Sequence, residues 1–345
     1  MKRISAALLA CGLLYPIVQT VLRTAIHAEN SKPEQKGERD EASQRALFSK
    51  IDAYVRCINA LSGRVHKSRA RYFSWANRSG PSRAESEILG LHSIDNPTRC
   101  REEVETVNDL APHYPELETT ATAYATAATR LYPILKEASS YYDQRNYKDD
   151  HMARGTAMHP LLVAGFDEFV AADRNLRHLI EPLNENRARQ NLTAVENRSG
   201  RTLDFEVAAL MLDASALATA IRSDPDVARI TAAISQYETT FTTVAALAEV
   251  QRNSRTPDVD PLLLENAKAF LANAKVFLSR LRDKVPYTPG EQRMLDTAGG
   301  LGAFTVEGSP VRLATSYNIM IDIQNRETIS PALKWIPLAD PEKNP

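Results

Sequence analysis

Counting back from Leu183 in steps of three and four residues gives Ile180, Leu176, Asp173, Phe169, Phe166, Leu162, His159 and Gly155. Such spacing places one continuous face on a single helix of about eight turns, and a helix of that length needs other helices to cover it. Two residues on this face are polar. Buried polar groups are costly unless each finds a partner, so His159 and Asp173 are expected to meet a tyrosine hydroxyl or an arginine inside the fold.

The same period recurs along the chain. Leu47, Ile51, Tyr54, Ile58, Leu61, Val65, Tyr72 and Trp75 form a near-heptad seam broken only by Ser68, and the helix closes at Asn77-Arg-Ser-Gly-Pro. A long loop is read over 78–97, and Pro115 then opens a helix that Pro133 should kink. Further stripes run from Leu203 to Ile221, Val227 to Val244 and Leu264 to Leu281. Ser309-Pro310 caps a last helix lined by Val311, Ala314, Asn318, Ile321 and Asn325. The expected fold is all-α, an elongated antiparallel bundle of long, proline-kinked helices. With only 13 glycines and a 43% hydrophobic share, the composition agrees with helices and a sizeable core. GGLGAFTVEG, ending at Gly308, lacks the Gly-Lys-Ser/Thr of a phosphate loop and reads as a turn.

Location is read from the N-terminus. Met1-Lys-Arg precedes an uncharged run from Ile4 to Leu22 and then Ala-Ile-His-Ala ending at Ala28, the layout of an export signal. Cleavage after Ala28, retention as a membrane anchor and lipidation at Cys11 all stay open. Residues 1–28 are therefore read as signal or anchor, 29–41 as a polar tether, 42–326 as the helical domain and 327–345 as a tail. A periplasmic or cell-envelope location follows, with membrane association through the N-terminus. Cys57 and Cys100 remain after the leader, and an even count in an oxidising compartment predicts a disulfide. The totals of 42 basic and 43 acidic residues are too balanced to argue for nucleic acid.

Two segments carry candidate chemistry. In YYDQRNYKDDHMARGTAMHP, which starts at Tyr141, the residues Tyr142, Tyr147, Asp149, Asp150 and His159 offer carboxylates, hydroxyls and an imidazole to a cation or polyol. No Glu-x-x-His or His-Glu-x-x-His motif supports a specific metal, so no cofactor is expected and a divalent ion rests on this segment alone. Asp173 and His159 lie about 21 Å apart along a straight helix, which argues against a hydrolase built on them. The second segment is a basic face, Arg64, Lys67, Arg71 and Arg78, suited to an anionic polymer or lipid headgroup. Against that stands pairing with Glu102, Glu103, Glu105 and Asp109, which a Cys57–Cys100 link would bring near. Asn59, Asn318 and Asp173 are the buried polar candidates.

Tyr54-Val-Arg-Cys-Ile-Asn59 with Tyr72-x-x-Trp75, Tyr141-Tyr-Asp-x-x-x-Tyr147-Lys-Asp-Asp150 with His159-Pro160 and Phe166-x-x-Phe169, and Tyr317-Asn318 together resemble the YiiG-like family of bacterial envelope proteins and lipoproteins. The resemblance spans about residues 44–325 and implies an exported helical protein of unassigned activity, with no catalytic residue to carry over. The reading is a non-enzymatic module that binds another envelope component.

Overall fold

The computed structural model describes residues 15–81, 88, 90–222, 225–251, 259–296, 302–327 and 331–336, with side chains from residue 40 onward. Cys11 and residues 299–301 of the glycine-rich patch lie outside the described residues, and the rest of the patch turns through Ala303–Thr305 toward the last helix.

The described residues form nine α-helices: α1 (Tyr15–Phe73), α2 (Thr98–Asn108), α3 (Pro115–Asp143), α4 (Ala153–Ser199), α5 (Leu203–Arg222), α6 (Val227–Gln251), α7 (Pro261–Asp283), α8 (Pro289–Asp296) and α9 (Pro310–Glu327). The fold is all-α, as the spacing predicts. Helix α1 includes the polar 29–41 segment in its backbone, so the expected tether continues the helix that follows it. No helix among the described residues is long and apolar enough to cross a membrane. The sequence reading placed no helix at α2 or α8. Only Cys100 and Val104 of α2 are buried, too few to print a stripe.

Two hydrophobic cores result. The first gathers α1 to α4 around Tyr54, Tyr72, Tyr124, Tyr142, Phe166 and Phe169, and the second gathers α5, α6, α7 and α9 around Tyr237, Phe270 and Tyr317. Both predicted seams face inward: Ile51, Tyr54, Ile58, Leu61, Val65, Tyr72 and Trp75 are buried, as are all the stripe residues of α4 except the partly buried Leu183. Pro133, Pro160 and Pro182 sit inside helices with exposed side chains, where their missing N–H groups cost no core packing. Cys57 and Cys100 form a disulfide, Cα–Cα 5.2 Å, that ties α1 to α2.

Most polar groups inside the first core are paired, Trp75 Nε1, the Tyr142 hydroxyl and Arg177 Nη2 being buried without a hydrogen-bond partner. The fully buried Asp173 carboxylate accepts from Ser62 Oγ at 2.6 Å, His66 Nε2 at 2.9 Å and Arg177 Nε at 3.1 Å, while Ser62 also bonds the Tyr124 hydroxyl at 2.8 Å. Burial by itself pushes this carboxyl up, but the Arg177 charge and the bonds from His66 and Ser62 outweigh it and hold the carboxyl at about 2. Lys50 is buried too. Its ammonium donates to the carbonyls of Val107 at 2.6 Å, in the last turn of α2, and Leu110 at 2.7 Å, just past it, and pairs with Glu118 at 2.8 Å. This arrangement places a cation at a helix C-terminus, where the orphan carbonyls favour it.

A carboxyl held low in the folded state contributes stability that is complete above its unfolded value near 4 and is lost as pH falls toward about 2. Asp173→Asn leaves the Arg177 guanidinium buried without its counter-charge and should cost about 3 to 5 kcal/mol at pH 7. Urea denaturation of both proteins should show that gap narrowing between pH 4 and pH 2. A gap independent of pH would remove the charge from the account.

Candidate functional site

The acidic-aromatic segment lies at the turn from α3 to α4. Arg145, His151 and Met152 all take left-handed φ values, 60°, 53° and 69°, and so turn the chain through the short Asn146–Lys148 helical turn into α4. Asp150 sits just ahead of α4. One oxygen accepts from the Tyr141 hydroxyl at 2.8 Å and the other from the backbone N–H of Arg154 at 3.0 Å. Although partial burial raises it, these donors hold the carboxyl below its usual range. The residue caps a helix.

His159 is likewise committed. Its Nε2 faces the carbonyl of Arg78 at 3.0 Å, which can only accept, so Nε2 carries the proton and Nδ1 faces the Tyr72 hydroxyl at 2.8 Å. Burial raises the Tyr72 phenol to about 12. Tyr142 is buried edge-to-face against Trp75 and Tyr141. Gly155 explains how α4 fits here, because a Cβ at that position would meet Met152 Sδ at 2.7 Å and the Tyr142 hydroxyl at 2.9 Å. Tyr147 is partly buried against Tyr142, and Asp149 is exposed. Asp150 and His159 thus bond different partners, a helix end with Tyr141 and a carbonyl with Tyr72. Among the described residues no group of three or more His, Cys, Asp or Glu side chains is arranged to hold a metal ion. A shallow depression of about 250 Å³ between α3 and α4, lined by Glu116, Thr120, Asn175, His178 and Leu179, contains none of these candidates.

Asn59 and Asn318 are partly buried, and both bond the main chain of the C-terminal segment 331–336. Asn59 donates to the Ala332 carbonyl at 2.8 Å, and Asn318 to the Trp335 carbonyl at 2.7 Å.

The basic face divides. Arg78 pairs with Asp167 at 3.1 Å and lies over the Phe73 ring, joined there by Arg69. Among the described residues, the one ion pair between the acids expected to neutralise the face and an α1 arginine joins Glu103 to Arg56. Arg64, Lys67 and Arg71 have no ion pair among the described residues and share one side of α1. Beside them runs the loop carrying His92, which the sequence reading missed because an isolated loop histidine has no periodic signal. Ser68 Oγ bonds the His92 carbonyl, Ser139 Oγ bonds that of Leu91 at 2.9 Å, and Arg64 bonds that of Ser93 at 3.3 Å. Gly90 lies close to α3, where a Cβ would meet the Asp143 carboxylate at 1.7 Å and force that side chain to shift. Burial pushes the His92 imidazole down, and the charges of Arg71, Lys67 and Arg64 push it further against a smaller opposing effect of Asp143. Arg71 Nε and His92 Nε2 are both buried without a protein hydrogen-bond partner.

The described residues thus define an all-α protein with two cores, a committed acidic-aromatic turn and an unneutralised basic cluster. The model of a protein family of unknown function, DUF3829, matches residues 45–326, and the chain belongs to that family. It is also 28% identical over 299 residues to "Uncharacterized protein YiiG" of Escherichia coli (strain K12), an alignment covering 86% of this chain and 83% of that one. No solved structure matches.

Because Asp150 caps α4, Asp150→Ala should lower the melting temperature by the same amount with and without added divalent ions. Thermal denaturation across a metal panel checks this, and a loss confined to metal-loaded samples would restore the cation reading.

Proposed function

We propose that the protein is an exported, non-enzymatic envelope module that binds an anionic group, phosphate or carboxylate, through Arg64, Lys67, Arg71 and His92. The observation that carries this reading is the coincidence of two buried, unpartnered nitrogens, Arg71 Nε and His92 Nε2, with three cations that no acid neutralises among the described residues. Buried polar atoms are ordinarily satisfied, and an oxyanion would satisfy both here while meeting the local charge. Arg69 and Arg78 differ in charge pairing, since both meet Asp167 and lie over Phe73, although Arg69 Nε is likewise buried without a hydrogen-bond partner. The leader that starts at Met1-Lys-Arg supports export, and membership of a family of unknown function leaves the module without an assigned activity.

Each cation near an anionic surface contributes about 1 kcal/mol, so Arg64→Ala with Arg71→Ala should weaken binding to anionic phospholipid vesicles by about 30-fold at low salt. Affinity should fall with added salt, and it should rise as pH drops below the ordinary histidine range and His92 gains a proton. Competition by inorganic pyrophosphate would distinguish recognition of the anionic group from recognition of the bilayer. Vesicle co-sedimentation that is indifferent to both substitutions and to salt would overturn the proposal.

A further inference from the structure

Residues 331–336 lie between the two cores, with Leu333 packed on the first and Trp335 buried in the second. Their backbone is held by side chains from three helices. Asn325 accepts from the Ala332 N–H at 2.7 Å and donates to its carbonyl at 3.3 Å, and Asn318 accepts from the Trp335 N–H at 2.8 Å and donates to its carbonyl at 2.7 Å. Asn59 donates to the Ala332 carbonyl at 2.8 Å and accepts from the Lys334 N–H at 2.9 Å. The buried Arg177 and Arg187 donate to the carbonyls of Lys334 at 2.9 Å and Pro331 at 3.3 Å. Each carboxamide supplies one donor and one acceptor, the pair a neighbouring β-strand would offer, so the asparagines act as a side-chain imitation of a sheet edge.

Eight main-chain hydrogen bonds to so short a segment are indifferent to side-chain identity. Selectivity is left to the Trp335 indole, which is 3% exposed, and to the Lys334–Asp322 pair at 2.6 Å. We propose that this cleft is a peptide-binding site closed in cis by the chain's own segment. The partner it fits in trans is an extended peptide with an aromatic side chain at the Trp335 position and a basic one just before it. What favours the cis occupant is tethering: it follows α9 by a few residues, which gives it an effective concentration of about millimolar.

The test uses the full chain and a fluorescent peptide with the sequence of residues 331–336. Trp335→Ala releases the cis anchor. Lys334→Pro is a second host, deleting the N–H that Asn59 accepts together with the ion pair to Asp322 while leaving every residue that lines the cleft unchanged. The peptide should bind both hosts saturably and bind the unaltered protein at least about tenfold more weakly, because the tethered segment competes. Adding Asn318→Ala to either host removes two of the main-chain bonds and should weaken binding about tenfold or more. Failure of the peptide to bind either helical, folded host, or equal binding with and without Asn318, would overturn the proposal.

Discussion

The Asp173 carboxylate and the Arg177 guanidinium, one turn apart on α4 and both inside the protein, are the pair on which the rest depends. A buried ion pair repays its desolvation only if the remaining donors and acceptors are also satisfied. Here, Arg177 Nη2 excepted, the groups that meet that requirement lie in several directions. Ser62 and His66 bring α1 to the carboxylate, Ser62 brings the Tyr124 hydroxyl of α3, and Arg177 reaches the main chain at Lys334. Arg187, two to three turns further along α4, repeats the pattern by pairing with Asp52 of α1 and bonding the Pro331 carbonyl. One helix therefore carries two buried cations whose spare donors end on the same short segment.

That arrangement explains why α4 exceeds what one core needs. Its apolar stripe finishes at Leu183, and in this end of the helix Glu181, Arg187 and Gln190 make polar contacts to Arg222, Asp52 and Gln44. The helix serves as a beam: one end fills the first core, and the other carries the charges that join α1, α5 and the 331–336 segment. Nonspecific apolar packing would hold each core together, whereas the oriented hydrogen bonds fix how the segment lies between them.

The helices that bury a full stripe were legible in the sequence, and so were the two polar residues on the α4 face and the Cys57–Cys100 link. The period identifies His159 and Asp173 as inward-facing because it depends only on local geometry. It names no partners, since Ser62 and His66 stand 111 and 107 residues from Asp173. Asn59 and Asn318 were recognisable as buried polar candidates, but the segment they bind has no periodic pattern and is 17 to 275 residues away. Lys50 was invisible for a different reason, as a lysine inside a helical stripe reads as solvated until the carbonyls at the end of α2 are placed against it. The acidic-aromatic segment shows the opposite limit, because side-chain type does not reveal which groups are already hydrogen-bonded within the fold. Its side chains looked suited to a ligand, yet Asp150 and His159 spend their hydrogen-bonding capacity on a helix end, a tyrosine and a carbonyl.

The central claim is that residues 331–336 are an integral part of the fold, held there by the charges and carboxamides of α1, α4 and α9. Native-state hydrogen exchange at the amides of Ala332, Lys334 and Trp335 tests it most directly. The account predicts protection comparable to that of the α1 and α4 core amides, because all three N–H groups donate to buried or half-buried asparagine oxygens. Exchange of these amides at the rate of an unstructured peptide, with the helices still protected, would contradict it.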